Sequence, residues 1–124
     1  MVEKIILAES KGIDFDINGH IYNVNFDDKV SLIKFQKVRK EFLDLQNKTK
    51  DWEVDDIEES VKLLKKIINT ILGDDKAVET CLDEKQRDNI RILTDLALQL
   101  FNKTKQSQEN FVKERVESEY APEE

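Results

Sequence analysis

The residues best spaced for chemistry are Asp14, Asp16, Asn18, Gly19 and Ile21, which match positions 1, 3, 5, 6 and 8 of a calcium-binding EF-hand loop. The twelfth position of such a loop supplies a bidentate glutamate, and this chain has Asn25 there, with a single neutral carbonyl. Phe15 and Ile17 stand where such loops are usually solvated, and they alternate as a strand would. The stretch therefore reads as a β-hairpin rather than a metal site. His20, the one histidine, sits beside the Asn18–Gly19 turn with no Ser or Cys nucleophile near it in sequence, so it reads as a strand residue. The acidic pairs Asp55–Asp56 and Asp74–Asp75 fall at expected helix starts, where negative charge favours the helix dipole. Cys81 is the only cysteine and occupies an apolar helical position, which marks a small core residue. The chain has no Gly-rich phosphate loop and no Cys or His cluster for zinc. The expectation is a non-enzymatic protein without cofactor or metal.

The elements that position these residues are mostly helical. In the hairpin, an Asn-Gly dipeptide favours a two-residue type I′ turn and places Ile17 opposite His20, Phe15 opposite Tyr22 and Ile13 opposite Val24. One face then carries the apolar set and the other carries Asp14, Asp16, Ile21 and Asn23. Upstream, the cluster Ile5, Ile6 and Leu7 is a candidate edge strand. Asp27 or Asp28 can cap a helix running to about Asn47, with a seam of Phe35, Val38, Phe42 and Leu45. A polar connecting loop from Asn47 to Asp56 follows, with Trp52 expected to pin it to the body.

The central stripe is Ile57, Val61, Leu64, Ile68 and Ile71, widened by Leu63, Ile67 and Leu72 to roughly half the circumference of a helix. Asp55 and Glu58 stand at capping-box spacing before it, and Gly73 supplies the left-handed position after it. Leu64 and Ile68 are therefore expected in the core. A short turn or helix carries Ala77, Val78, Cys81 and Leu82, and Asp83 can cap a long helix beginning near Glu84. On that helix the apolar residues cover about two-thirds of the circumference. Other elements of so small a protein are too few to cover such an arc, so Ile90, Leu93, Ala97, Leu98, Leu100 and Phe101 form the predicted partner-binding face. Past Phe101 the sequence turns polar, and any continuation of the helix is expected to fray. Together the elements predict an α+β fold, mostly α, in which a small N-terminal hairpin packs on three to four helices. Residues 1–118 form the expected single domain, and 119–124 a disordered acidic tail.

The chain has 124 residues and a formal net charge of -7. That balance disfavours binding along a phosphate backbone, which needs clustered Lys and Arg. The Lys and Arg residues between Lys29 and Lys50 are interleaved with Asp and Glu and read as a solvated helix face. No apolar run approaches the ~20 residues that span a bilayer, and the N-terminus lacks a basic region followed by a long apolar one. The protein is expected to remain in the cytoplasm.

The hairpin with Asn18–Gly19 and the following Tyr22, the Phe26–Asp27 helix start, and the central helix ending in Ile71, Leu72, Gly73 and Asp74 resemble the tail assembly chaperones of long-tailed bacteriophages. The likeness covers roughly Ile13 to Phe101. It departs where that family often has a Gly-Ala pair, here Asp75, Lys76 and Ala77, and where it often has Phe-Gly, here Cys81 and Leu82. The resemblance implies a small N-terminal sheet followed by helices. It also implies a protein that binds the tape measure protein, keeps it soluble, helps tail-tube subunits assemble around it and does not stay in the finished virion. It implies partners in the tape measure and tail-tube proteins, with a homo-oligomer as a further candidate, and a longer form made by frameshifting near the C-terminus. The other class compatible with the residues is a generic acidic helical adaptor or regulatory protein-binding domain.

Overall fold

The computed structural model describes residues 2–48 and 53–120, without the side chains of 117–120. The places expected for Trp52 and for Ala121–Glu124 lie outside these residues. Within them the chain forms β1 (Ile13–Ile17), β2 (His20–Val24), α1 (Lys29–Asn47), α2 (Val54–Leu72), α3 (Ala77–Cys81), α4 (Glu84–Arg87) and α5 (Ile90–Tyr120). The fold is α+β and mostly α.

The hairpin has the register that its turn dictates, with Ile13 paired to Val24, Phe15 to Tyr22 and Ile17 to His20. Asn18 and Gly19 take positive φ values of 51° and 88°, as both central positions of a type I′ turn require. Asp16 Oδ1 accepts a hydrogen bond from the Gly19 N–H at 2.9 Å, which closes the turn. Phe15 and Val24 are buried, while Ile21 on the opposite face is exposed. Residues 2–12 carry no regular secondary structure, and Ile5, Ile6 and Leu7 are exposed, so the candidate edge strand does not form. A run of three adjacent apolar residues lacks the alternation that would seat it on one face of a sheet.

Each helix start follows from a side chain placed to accept the free N–H groups of a first turn. Asp28 is the cap of α1, its Oδ2 accepting from the Ser31 N–H at 3.0 Å. The capping box of α2 lies two residues earlier than the sequence spacing indicated. It joins Glu53 and Asp56, with the Glu53 N–H donating to Asp56 Oδ2 at 3.1 Å, and the helix therefore begins at Val54. Gly73 ends α2 at φ 70°, and the N–H groups of Gly73 and Asp74 return to the carbonyls of Thr70 and Asn69, a Schellman closure. Asn69 then staples the turn by donating to the Asp75 carbonyl and accepting from the Val78 N–H, both at 2.9 Å.

The long helix expected from Glu84 is broken. Asp83 caps only the single turn of α4, with Gln86 completing a capping box. The chain restarts at Asn89, whose Oδ1 accepts from the Ile92 N–H at 3.1 Å and whose carbonyl accepts from the Leu93 N–H at 3.0 Å. An Asn side chain competes well for free N–H groups, so it favours starting a helix over continuing one. The split raises the helix count to five among the described residues, where three to four were expected.

The core centres on α2. Leu64, Ile67 and Ile68 are fully buried, with α1 packed along one side of the helix and α5 along another. The seam of α1 is the predicted one, since Phe35, Val38, Phe42 and Leu45 are its buried residues. Phe26, at the exit of the hairpin, contacts Phe35 with ring centroids 4.6 Å apart. Phe35 and Phe42 contact Phe101 at 5.4 and 5.3 Å. These tilted ring pairs join the hairpin, α1 and α5 into one cluster.

Candidate interaction surface

The predicted partner-binding face of α5 is largely inside the protein. Leu93, Ala97, Leu100 and Phe101 are buried, Ile90 is half-buried, and of the six only Leu98 is exposed, at 42%. The expectation failed because two neighbours reach this helix. α2 packs along it, and the phenylalanines of α1 close over Phe101. An apolar arc this wide is thus explained by cover from more than one side.

Exposed apolar surface lies elsewhere. α5 continues as a helix to Tyr120, so positions 119 and 120 are helical and not part of a disordered tail, and every residue from Lys105 to Val116 is exposed. Thr104 is the last inward residue among the described side chains; its buried hydroxyl donates to the Leu100 carbonyl at 2.8 Å, within its own helix. Beyond it, Phe111, Val112 and Val116 are 50%, 59% and 50% exposed. The Arg115 guanidinium lies 6.0 Å from the centre of the Phe111 ring. In sequence these residues were legible only as interruptions in a polar stretch. Val112 and Val116, four residues apart, share one helix face and Phe111 flanks it, provided the helix persists.

A groove of about 600 Å³ runs beside this stretch. One wall is the chain from Ala8 to Ile13, and the other includes Thr104, Ser107, Gln108, Phe111 and Val112, with Val24 and Phe26 also lining it. The N-terminal arm leaves from the same place, with Ile5, Ile6 and Leu7 in solvent.

The polar groups of the hairpin brace its strands and tie it to the helices. Asp14 Oδ1 accepts from Asn23 Nδ2 at 2.9 Å across the strands. Asn18 Nδ2 donates to the Cys81 carbonyl at 2.8 Å and to Gln86 Oε1 at 3.1 Å, tying the turn to α3 and α4. Among the described residues, no group of three His, Cys, Asp or Glu is placed to hold a metal ion. Tyr22 donates to Asp74 Oδ2 at 2.9 Å, and this bond, aided by burial, pushes the phenol up to about 12. Asp74 is held below the usual carboxylate range, first by the Lys76 backbone N–H and then by Tyr22. Burial pushes the Cys81 thiol up. Phenol and thiol both stay protonated at neutral pH, so neither is an activated nucleophile or base.

No helix among the described residues is long and apolar enough to cross a membrane. No protein-family profile matches this chain, and no curated protein or solved structure is significantly similar to it.

Proposed function

We propose that this protein is a non-enzymatic assembly chaperone of the long-tailed phage type, which binds the tape measure protein in the host cytoplasm and assists tail-tube assembly. The observation that carries the reading is the outer half of α5, a helix that projects past the core with Phe111, Val112 and Val116 on its surface. A helical client buries its own apolar stripe by lying against such a helix, with contacts repeating at three- and four-residue steps. This surface replaces the Leu93–Phe101 face as the site of client contact. The acidic net charge of -7 keeps the unloaded chaperone soluble despite the exposed stripe. The resemblance to the phage chaperones, from the Asn18–Gly19 hairpin to the Gly73 helix end, suggests the identity of the client. The test is co-expression with a candidate tape measure protein from the same genome. The parent is expected to bring that protein into the soluble fraction and to co-purify with it, and Phe111→Ser/Val116→Ser to lose both effects while keeping the parent's circular dichroism. A tape measure protein that remains insoluble and unbound beside the parent overturns the proposal.

A further inference from the structure

We infer that two copies of this chain exchange N-terminal arms, the Ile5–Leu7 segment of each lying in the groove between the arm base and α5 of the other. Ile5, Ile6 and Leu7 are 81%, 76% and 82% exposed, so the arm has no cover of its own. Its base is fixed. Ser10 Oγ donates to Asp27 Oδ2 at 2.6 Å and accepts from Asn25 Nδ2 at 2.7 Å, and Asn23 Nδ2 donates to the Lys11 carbonyl at 3.0 Å. At Gly12 the backbone passes so close to β2 that a Cβ would sit 2.7 Å from the Val24 carbonyl oxygen. The arm therefore leaves the body in a set direction.

That base also forms one wall of the groove of about 600 Å³, so the arm of the same molecule is poorly placed to fill it. Leu7 adjoins the wall residue Ala8, and entering the groove would require a sharp reversal there. Between Val2 and Glu9 there is no Gly, Pro, Asn, Asp or Ser to make one. An arm arriving from another molecule meets no such constraint. A second copy offers an arm and a groove at once, so a two-fold pairing covers both apolar features on both chains. Fully covering Ile5, Ile6, Leu7 and the groove residues Phe111 and Val112 in each copy removes on the order of 1,400 Å² in total, within the range of stable specific complexes. Each copy carries a charge of -7, so the pairing is apolar contact working against like-charge repulsion, and added salt should strengthen it.

The pairing uses the face that the chaperone proposal gives to the client, so the two compete for it, and the test is read on the chain alone. Sedimentation equilibrium of the full chain in the micromolar range is expected to show a dimer that tightens with salt. Ile5→Ser/Leu7→Ser and Phe111→Ser/Val112→Ser should each weaken it at least roughly tenfold while keeping the parent's circular dichroism. Mixing the two variants should restore a heterodimer through the one intact arm and groove. Should the groove variant fail to fold, Leu7→Cys chains mixed with Val112→Cys chains and oxidised with diamide give a second readout. A disulfide-linked heterodimer is expected, with the buried Cys81 outside the reaction. A parent that stays monomeric at high salt, variants that dimerise like the parent, or the absence of the cross-linked heterodimer overturns the inference.

Discussion

From Ile90 to Thr104, α5 places Leu93, Ala97, Leu100, Phe101 and Thr104 against the core, whereas from Lys105 to Val116 every residue is in solvent. Both stretches are one uninterrupted helix. The inner half is helical because burial of its apolar face stabilises it, and a helix once nucleated extends at little cost through good helix formers. The outer half has such residues in Lys105, Gln106, Gln108, Glu109, Lys113, Glu114 and Arg115. The Lys105–Glu109 pair, 3.9 Å apart at an i, i+4 spacing, adds only a little. Polar composition thus marks where burial ends, while the helix itself runs on to Tyr120. Phe111, Val112 and Val116 on the outer half are in solvent, whereas on the inner half Leu93, Ala97, Leu100 and Phe101 are covered and only Leu98 is exposed among the predicted face.

The largest effect expected from this contrast is at Leu93. Leu93→Ala leaves a cavity in the core and should cost about 2–5 kcal/mol in chemical denaturation, as should Leu64→Ala in α2, which is equally buried. A neutral result at either position would mean that the inner half is not core. Next comes the hairpin, whose Phe15 and Val24 belong to the same cluster. Gly19→Val forces a β-branched residue to a φ of 88° and should lower stability by about 1–3 kcal/mol. An unchanged melting temperature would show that the hairpin contributes nothing to covering the inner half.

The clamp between Tyr22 and Asp74 predicts a smaller, pH-dependent effect. Asp74 has a lowered folded-state pKa, so its contribution is present above the ordinary carboxylate value near 3.8 and is lost as pH falls below it. Tyr22 is raised from 10.0 to about 12, so its contribution is complete below pH 10 and is lost as pH climbs from there through 12. Melting temperature against pH should therefore show the parent above Tyr22→Phe between these limits, with the gap closing at both ends. A constant gap would assign the loss to packing and not to the hydrogen bond. The smallest effect is on the outer half, where Val116→Ser should change stability by no more than about 0.5 kcal/mol. Amide exchange measured on the same protein should be faster from Lys105 onward than from Leu93 to Thr104, since the outer hydrogen bonds open without disturbing the core.

Much of this molecule was written in short-range patterns. The hairpin register follows from Asn18 and Gly19 because a two-residue turn leaves one pairing, and the end of α2 follows from Gly73 because few residues take a left-handed φ without strain. The seam Phe35, Val38, Phe42 and Leu45 and the core positions Leu64 and Ile68 follow from periodicity, since a helix must bury its apolar side somewhere. All of these depend on residues within a few positions of one another.

Tertiary structure decided the rest. Whether Leu93, Ala97, Leu100 and Phe101 face a partner or the chain's own core depended on α2 and on Phe35 and Phe42, which lie far away in sequence. Two adequate caps, Asp83 and Asn89, competed for one helix start, and the chain uses both. The groove beside Phe111 exists only because β1, the arm base and α5 converge. Local signals state which side of a helix is apolar, and only the arrangement of the other elements states what covers it.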